Sequence, residues 1–529
     1  MLTYFVIVPL LTAVFLYVFS SAKIVRIIAI IAQAILASFA TQLFFLCKKG
    51  DIITTIGNYE SVLGITLRAD TLSSVFVVLV TFAFFIAALY SLNEQQNKLF
   101  WLLLFIWEGL LIGIFLTRDL FNVFVLMEVA MVVVSILIMF NRDNRSMYDG
   151  MFFLMVNIVV MQFYLFGVGY VYKLTGVLDM EAAALVLSEI DKSSLILPFA
   201  LIMTAVGLKC ALVPLYSWLP KAHGTAGAPS AISALLSGVH IKSGVYLFMR
   251  IIPIFQNIDA SWFFLWAGIL TGIVGFIFAM SQSDIKLVLA YHTISQIGMI
   301  VASLSIGDSY SYMGGLYHAI NHALFKAALF LSAGVIYEAY GTRNVYEIRG
   351  VFKRFPLVGM ATAMAILGIT GAPLFNGSIS KYFIMSGTNR ITSFALTFIN
   401  LGTIVSFIKY STMLYGKSDF AGEAVKISIN KQLSIFILGL LCFVGGILGE
   451  EFIEFLFNVQ VSVDAAGYLQ KVAYFVASVV VGYFIYKYFV LKSSLLKRIK
   501  EIDLGFRAIC VSIGAFFAFL LIAAKFSVG

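Results

Sequence analysis

Two histidines and a lysine recur at intervals of four residues inside an apolar segment of this chain. They are His318, His322 and Lys326 in "LYHAINHALFKAALFLSAG", residues 316–334. On a helix these positions share one face and form a stripe about 12 Å long. Imidazole titrates near neutral pH and can accept a proton at one nitrogen while it donates one from the other. The stripe therefore predicts a proton relay, and the alternative is a pair of core histidines whose hydrogen bonds are satisfied.

Other ionisable residues also lie inside apolar runs, where a charged group costs several kcal/mol unless it is paired, hydrated or used. Each could instead reach the membrane surface along its aliphatic stem, or pair with an opposite charge for packing. Secondary candidates are Glu108, which lies near the start of its segment, His240 and Asp284. The primary set is Glu128 in 120–140, Lys209 in 195–220, Lys242 beside His240, and Lys381 in 357–388, with Lys409 in 391–416 as a further secondary candidate.

Two of these segments are interrupted close to their lysines. Pro214 follows Lys209, and Pro373 and Gly377 precede Lys381. Proline inside a spanning helix frees backbone carbonyls, which are tolerated at membrane depth only where they are buried or line a wet cavity. Interruptions in corresponding segments of two halves are typical of transporters built from inverted repeats. We therefore predict water or polar groups beside both lysines.

The helices that must hold these residues are membrane spans. The 529 residues are 61% hydrophobic and only 12% charged, with a mean hydropathy of +1.01, whereas soluble proteins carry about 25% charged residues. Apolar runs long enough to span a bilayer recur along the whole chain. The predicted fold is an all-α polytopic membrane protein with about sixteen apolar segments, centred near residues 11, 35, 82, 107, 130, 161, 206, 240, 270, 294, 325, 370, 403, 445, 480 and 516. The first run lacks a basic leader and a small-residue cleavage site, so we expect it to be a retained helix.

The net charge of +9 is distributed as membrane topology requires and needs no nucleic acid partner. Basic residues gather in loops that follow odd-numbered segments, whereas the loops 178–191 and 449–455 are acidic. The positive-inside tendency then predicts cytoplasmic basic loops and an N-terminus outside the cell. Residues 492–506 are expected to form an amphipathic stretch on the cytoplasmic face. The basic residues are Lys23, Arg26, Arg142, Arg145, Arg343, Arg349, Lys353, Arg354, Lys417, Lys426, Lys431 and those of 491–501.

The four cysteines offer neither a disulfide framework nor metal-ligand spacing. They are scattered through different apolar segments as Cys47, Cys210, Cys442 and Cys510, and we predict that they pack in the interior. The histidine stripe has no cysteine or carboxylate in its own segment to complete a coordination set, which disfavours a metal site. No phosphate-binding, haem or iron–sulfur motif is evident, so no cofactor is expected.

An ordered set of motifs resembles a known superfamily. The motifs are "TRDLFNVFVLMEVAMV" (117–132), "KCALVPLYSWLPKAH" (209–223), "IKSGVYLFMRI" (241–251), "QSDIKLVLAYHTISQIGMI" (282–300), "HAINHALFKAALFLSAG" (318–334) and "GITGAPLFNGSISK" (368–381). Together they are similar to the antiporter-like subunits of respiratory complex I, multisubunit cation/proton antiporters and membrane-bound hydrogenases, over roughly residues 60–415. The resemblance implies a fourteen-helix core with two inverted five-helix repeats, each forming half of a proton path.

The same resemblance implies domains and residue roles. The domains are N-terminal helices in 1–95, a first repeat in 96–252, a second repeat in 258–418, and C-terminal helices in 430–529. Glu128 and Lys209 become the charged pair of the first half, Lys242 the connecting lysine, and Lys381 the exit-side lysine, with the histidine stripe as central relay. Two details make the chain most similar to the D-type subunit of cation/proton antiporters or its counterpart in an energy-converting redox complex. They are the combination of Leu236 with Lys242 and the lysine at 381.

These observations predict a proton-translocating subunit of a larger complex in the cell inner membrane. Burial disfavours the charged forms of Glu128 and Lys209, whereas their mutual attraction favours them, so opening and closing this pair would gate the next site. Its partners would be other membrane subunits, the lipid bilayer, and protons or sodium, and the chain would hold no redox centre. The alternatives are an antiporter subunit that itself binds sodium, with Glu128 or Glu108 as ligand, and a structural subunit.

Overall fold

The computed structural model describes residues 1–18, 22–58, 64–94, 96–224, 228–417 and 425–528. About 80% of the described residues are helical. In the described part, fourteen helices are long and apolar enough to cross a membrane, and Leu2–Val18 and Pro356–Thr370 are shorter apolar helices. All sixteen predicted centres fall on these helices. The prediction of an all-α, multi-pass membrane protein is therefore confirmed.

The described helices follow one another with short connections. A two-stranded antiparallel hairpin, β1 (Ile52–Thr55) with β2 (Thr66–Ala69), is inserted after the second helix, and Ile52 pairs with Ala69. In chain order the helices are α1 Leu2–Val18, α2 Ala22–Cys47, α3 Thr71–Ser91, α4 Lys98–Leu116, α5 Leu120–Ile138, α6 Asn144–Thr175, α7 Met180–Ser188, α8 Lys192–Lys209, α9 Trp218–Gly224, α10 Ser230–Leu235, α11 Ile241–Ile251, α12 Ser261–Ser281, α13 Ile285–Leu304, α14 Ser309–Tyr340, α15 Val351–Arg354, α16 Pro356–Thr370, α17 Asn376–Ser386, α18 Arg390–Ser411, α19 Ile429–Ile447, α20 Gly449–Phe457, α21 Ala465–Ile485, α22 Ser494–Lys500 and α23 Phe506–Val528.

Aspartate and asparagine side chains define where many of these helices begin. The first-turn N–H groups of a helix lack carbonyl partners within it, and a short side chain at the N-cap accepts from them. Such caps place most of the chain's aspartates at helix starts and outside the apolar cores of the helices. The capping residues are Asp70, Asn97, Asp119, Asp143, Asp179, Asp191, Asp284, Asp308, Asn389 and Asp464.

Both predicted interruptions are present. α8 ends at Lys209, and the chain is not helical again until Trp218. α16 ends at Thr370 and α17 begins at Asn376, with Pro373 between them. Each interruption contains a residue in the left-handed region, Ala211 at φ 50° in the first and Gly371 at φ 78° in the second. A third irregularity is the π-helical turn Leu236–His240, which links α10 to α11.

The chain divides into two compact units. Unit 1 comprises Met1–Ile232, Val239–Phe263 and Gly505–Gly529, and unit 2 comprises Ser233–Gly238 and Phe264–Leu504. The last helix, α23, packs on α6 and α8 in unit 1, whereas α21 packs on α18 in unit 2. The two inverted repeats and the four predicted domains stay predictions, and the boundary residues 95, 418 and 529 lie outside the described residues.

Within each unit, loops that are predicted to lie on the same side of the membrane contact one another. In unit 1, Leu67 pairs with Thr117 and Asp119 with Asp179, which joins loops after the second, fourth and sixth segments. In unit 2, Asp284 pairs with Asn344, and Gly350 N–H donates to the Tyr415 carbonyl at 3.1 Å, which joins loops after the ninth, eleventh and thirteenth segments. Within each unit these contacts agree with the prediction from charge that successive loops lie on alternate sides of the membrane. The expected amphipathic stretch 492–506 is helical over α22 and at Phe506, where α23 begins.

Candidate functional site: buried lysines and histidines

The first interrupted helix ends on a buried lysine. Lys209 is the last residue of α8 and is 5% exposed. Its Nζ donates to Asn157 Oδ1 of α6 at 2.8 Å. Gly244 of α11 faces the Lys209 backbone, where an added Cβ would lie 2.7 Å from the Lys209 carbonyl carbon. The absence of a side chain at 244 therefore lets α11 pack against the end of α8.

Glu128 faces this lysine without forming an ion pair with it. The carboxylate lies on α5, half-buried, and its Oε1 atom is buried without a hydrogen-bond partner. Glu128 and Lys209 interact electrostatically, but the lysine is hydrogen-bonded to Asn157. The charged pair implied by the family resemblance is therefore open in this structure.

Three further candidates lie buried in unit 1. Trp107 Nε1 donates to His240 Nδ1 at 3.2 Å; because indole nitrogen only donates, His240 accepts at Nδ1. Lys242, two residues later, is fully buried. Glu108 is also fully buried, and Gln33 of α2 donates to its Oε2 at 2.5 Å. Glu108 lies at the middle of α4, so its expected position near the start of a segment is wrong.

The predicted histidine stripe lies on α14 in unit 2, and all three side chains are fully buried. His318 Nδ1 is 2.9 Å from Ser380 Oγ on α17, and its Nε2 is 3.0 Å from Gln296 Oε1 on α13. Since an amide oxygen only accepts, Nε2 carries a proton. His318 therefore links two neighbouring helices through both ring nitrogens, as a proton relay requires.

The rest of the stripe continues along α14. His322 packs edge-on against Phe325, with ring centroids 5.4 Å apart. Lys326 Nζ donates to the Leu289 carbonyl of α13 and lies 5.7 Å from the centre of the Phe330 ring. The same Leu289 carbonyl accepts from Thr293 Oγ1 at 3.1 Å. Lys326 therefore joins a polar cluster that extends from α14 onto α13.

The lysine beside the second interruption bonds to a backbone carbonyl that the helix break leaves free. Lys381 of α17 is 4% exposed. Its Nζ donates to the Ile369 carbonyl of α16 at 2.6 Å and to Asn400 Oδ1 of α18 at 2.7 Å. An added Cβ at Gly377 would lie 1.9 Å from the Gly368 carbonyl oxygen, so only glycine fits there. Each of the two lysines beside a broken helix thus bonds to an asparagine on another helix.

No sequence pattern above singles out His292, which the structure places among these lysines. It lies on α13, fully buried, and neither ring nitrogen has a hydrogen-bond partner. It interacts electrostatically with Lys326, Lys381 and Lys409 and packs against Phe407, ring centroids 4.7 Å apart. A titratable side chain in an apolar run was the available signal, but one histidine without a regular spacing is a weak one. Asn157 and Asn400 gave less warning, because an amide carries no charge and does not titrate.

Two secondary candidates lie at helix ends. Lys409 Nζ donates to the carbonyls of Ala279, Met280 and Gln282 at 2.9, 2.8 and 2.6 Å, and so caps the C-terminus of α12. Asp284 caps α13 and forms an ion pair with Arg343 at 2.9 Å. Both contact sets support helix ends, and a role of these two residues in proton transfer stays a prediction.

An ionic cluster lies just outside the spans of unit 1. Asp70 caps α3 and pairs with Arg118 at 2.8 Å and Arg250 at 2.7 Å. Burial raises the pKa of the Asp70 carboxyl, but the charges of Arg250 and Arg118, together with hydrogen bonds from Ser73 and Arg250, outweigh this effect and lower it to about 2. The cluster holds the starts of α3 and α5 against the end of α11.

Within the described ranges, no three His, Cys, Asp or Glu side chains stand close enough to hold a metal ion. The arrangement instead offers titratable amines and imidazoles with hydrogen-bond partners on neighbouring helices. Such groups can take up and release protons, which is the chemistry that the geometry supports.

Comparison with known protein families identifies the class. Residues 117–408 match the family described as "NADH:quinone oxidoreductase/Mrp antiporter, TM". The match covers more than half of the chain and includes Lys209, the histidine stripe and Lys381. The chain belongs to this family, and the resemblance read from the motifs is confirmed.

Curated relatives share most of the chain. The D-type Na(+)/H(+) antiporter subunit of Alkalihalophilus pseudofirmus is 27% identical over 81% of this chain and 90% of the relative. The N-type NADH-quinone oxidoreductase subunit of Desulforudis audaxviator is 32% identical over 67% of this chain and 73% of the relative.

Solved structures share the fold. A chain of the Mrp complex from Dietzia sp. has a TM-score of 0.79 at 21% identity and covers 90% of this chain and 99% of its own length. A chain of the archaeal membrane-bound sulfane sulfur reductase has a TM-score of 0.81 at 23% identity over the same shares of the two chains.

Proposed function

We propose that this chain is a proton-translocating, antiporter-like subunit of a larger membrane complex. One observation carries the proposal: each of two broken helices holds a buried lysine whose Nζ bonds to an asparagine of a neighbouring helix, Asn157 for Lys209 and Asn400 for Lys381. A buried amine on broken backbone can exchange protons with a hydrated path, whereas a fully paired structural cation has no need of one. Relatives that are subunits of antiporters and of a quinone oxidoreductase support this assignment.

Glu128 gates the first half. In the open arrangement the Lys209 ammonium donates to Asn157 and is attracted by Glu128 only at longer range. When Glu128 moves closer, the ion pair holds the proton on Lys209. When it withdraws, desolvation favours release of that proton toward Lys242. The family resemblance gives Lys242, which is fully buried on α11, the role of connecting lysine.

The second half carries the proton along α14 and out at Lys381. His318 bonds to Ser380, the residue immediately before Lys381, and to Gln296, one turn from His292. Protons would pass among Lys326, His322, His318 and His292 and leave through Lys381. His292 is thereby added to the relay, and Lys409 is left out of it.

The chain is oriented with its N-terminus outside the cytoplasmic membrane. Support comes from basic residues in the loops that contact one another in unit 2, including Arg343 and Arg349, and from the alternation of sides between successive spans. The subunit needs no redox centre of its own, because a partner's chemistry or an ion gradient would drive it.

Sodium/proton antiport by this chain itself is the second candidate, since relatives are named Na(+)/H(+) antiporter subunits. Reconstitution with its partner subunits into vesicles separates the two. Proton movement that follows the partners' activity without sodium supports the first proposal. Sodium-driven proton movement by this chain without its partners would support the second, and no ion movement in either preparation would reject both.

A further inference from the structure

A cavity lies beside Lys381 in unit 2. Its volume is 690 Å³, which is room for about 20 water molecules at about 30 Å³ each. Residues of α17, α18 and α21 line it, from Arg390 at the start of α18 to Asn400, the hydrogen-bond partner of Lys381. Ten residues of helix separate those two positions, a depth of about 15 Å. The cavity therefore extends from the buried lysine toward the membrane surface at the start of α18.

The lining is cationic. Lys381, Arg390 and Lys471 contribute positive charges, and no carboxylate is among the residues that line the cavity. Lys471 belongs to α21, which lies beyond the part of the chain that matches the family. Two ammonium groups that share one cavity repel each other, so a proton on one favours release from the other.

Lys471 is hydrogen-bonded to the broken helix that carries Lys381. Its Nζ donates to the Ser378 carbonyl of α17, three residues before Lys381, and lies 5.7 Å from the centre of the Tyr382 ring. Tyr468, also on α21, accepts from Ser378 Oγ at 3.1 Å and from Leu374 N–H at 3.3 Å. Two side chains of α21 thus hold its lysine beside the second interruption.

We propose that Lys471 is the proton acceptor that follows Lys381, so that α21 supplies the last group of the exit path. This inference rests on the proposed function and extends it. A neutral Lys471 amine accepts, through cavity water, the proton that the Lys381 ammonium gives up. The Lys471 ammonium then releases it to water at the Arg390 end and becomes a neutral amine again, and Lys381 regains its ammonium form when the relay on α14 delivers the next proton. Besides Lys381, the larger polar side chains that line the cavity with Lys471 are Tyr382, Arg390, Gln470 and Tyr474, and Tyr468 contacts Ser378 beside it.

Substitution of Lys471 by arginine and by methionine tests this role. Arginine keeps the positive charge and a donor for Ser378 but does not release its proton at accessible pH. Lys487→Met on the same continuous helical segment is the matched control, because Lys487 contacts Tyr488 rather than the cavity. Each variant is measured in vesicles that contain the whole complex, for assembly and for coupled proton uptake.

We expect Lys471→Arg to assemble like the unsubstituted protein and to lose proton uptake at least tenfold, and Lys487→Met to stay within twofold. Full uptake by Lys471→Arg, in an experiment where Lys209→Arg is inactive, would overturn the role of Lys471 and leave the proposed function standing. Full uptake by Lys209→Arg would instead remove the proposed function. Failure of both Lys471 variants to assemble would show a structural lysine and also overturn the inference.

Discussion

Single residues show why a positive charge can persist in this interior. Lys209 and Lys381 each bond to an asparagine oxygen, and Lys381 also bonds to a carbonyl freed by the helix break. Amide and carbonyl oxygens stabilise an ammonium without adding an opposite charge, so the proton remains exchangeable. A full ion pair in the same place would hold it more tightly.

Asp70 provides the contrasting case of a permanently charged, structural residue. Asp70→Asn keeps an N-cap for α3 but removes the charge that pairs with Arg118 and Arg250. The pKa of this carboxyl falls from 3.8 to about 2 in the folded protein, a difference that corresponds to roughly 2 kcal/mol of stability. We expect that loss in thermal unfolding of the purified protein.

The pH dependence of Asp70 has a definite sign. Because the folded-state pKa is depressed, its contribution is fully present above the unfolded value of 3.8 and is lost as the pH falls toward 2. Unfolding curves of the unsubstituted protein and Asp70→Asn should therefore converge across that interval. A constant difference between them from pH 6 to pH 2 would exclude the ion-pair explanation.

At the scale of elements, much was predictable from the sequence. The sequence predicted all sixteen apolar segments and both broken helices, because a spanning helix must be apolar and proline cannot continue it. The contacts between helices were not predicted, because hydropathy does not specify which faces meet. Asn157, Asn400 and His292 belong to the site only through such contacts. Glu108 was misplaced within its helix for a related reason: a uniformly apolar run does not mark where α4 begins.

The packing of α11 on the end of α8 can be tested without changing any ionisable group. Gly244→Ala places a Cβ within 2.9 Å of backbone atoms of Lys209 and Cys210, so the lysine must shift. Gly169→Ala on α6 is the control, because no atom lies within 4 Å of its added Cβ. We expect proton uptake to fall at least tenfold in the first variant and to be unchanged in the second. Equal activity would show that the position of Lys209 is not critical.

At the scale of the whole molecule, the charge distribution predicts sidedness. Single cysteines introduced at Thr342 and at Asp259 should react with an impermeant thiol reagent from opposite sides of the membrane, Thr342 from the cytoplasm and Asp259 from outside. The native cysteines 47, 210 and 442 are buried, whereas Cys510 on α23 is partly exposed, so both variants also carry Cys510→Ser. Labelling of Thr342→Cys from outside intact cells would reverse the proposed orientation.

The central claim is that Lys209 exchanges its proton during transport. Arginine at 209 keeps a positive partner for Glu128 and a donor for Asn157 but holds its proton at accessible pH, whereas alanine removes the charge altogether. A structural cation predicts that Lys209→Arg is mild and Lys209→Ala harmful.

The decisive measurement is coupled proton uptake by vesicles that contain the assembled complex with Lys209→Arg. We predict that uptake is abolished in Lys209→Arg as completely as in Lys209→Ala, while the arginine protein is at least as stable as the alanine protein. Uptake at the unsubstituted rate by a correctly assembled Lys209→Arg complex would contradict the relay.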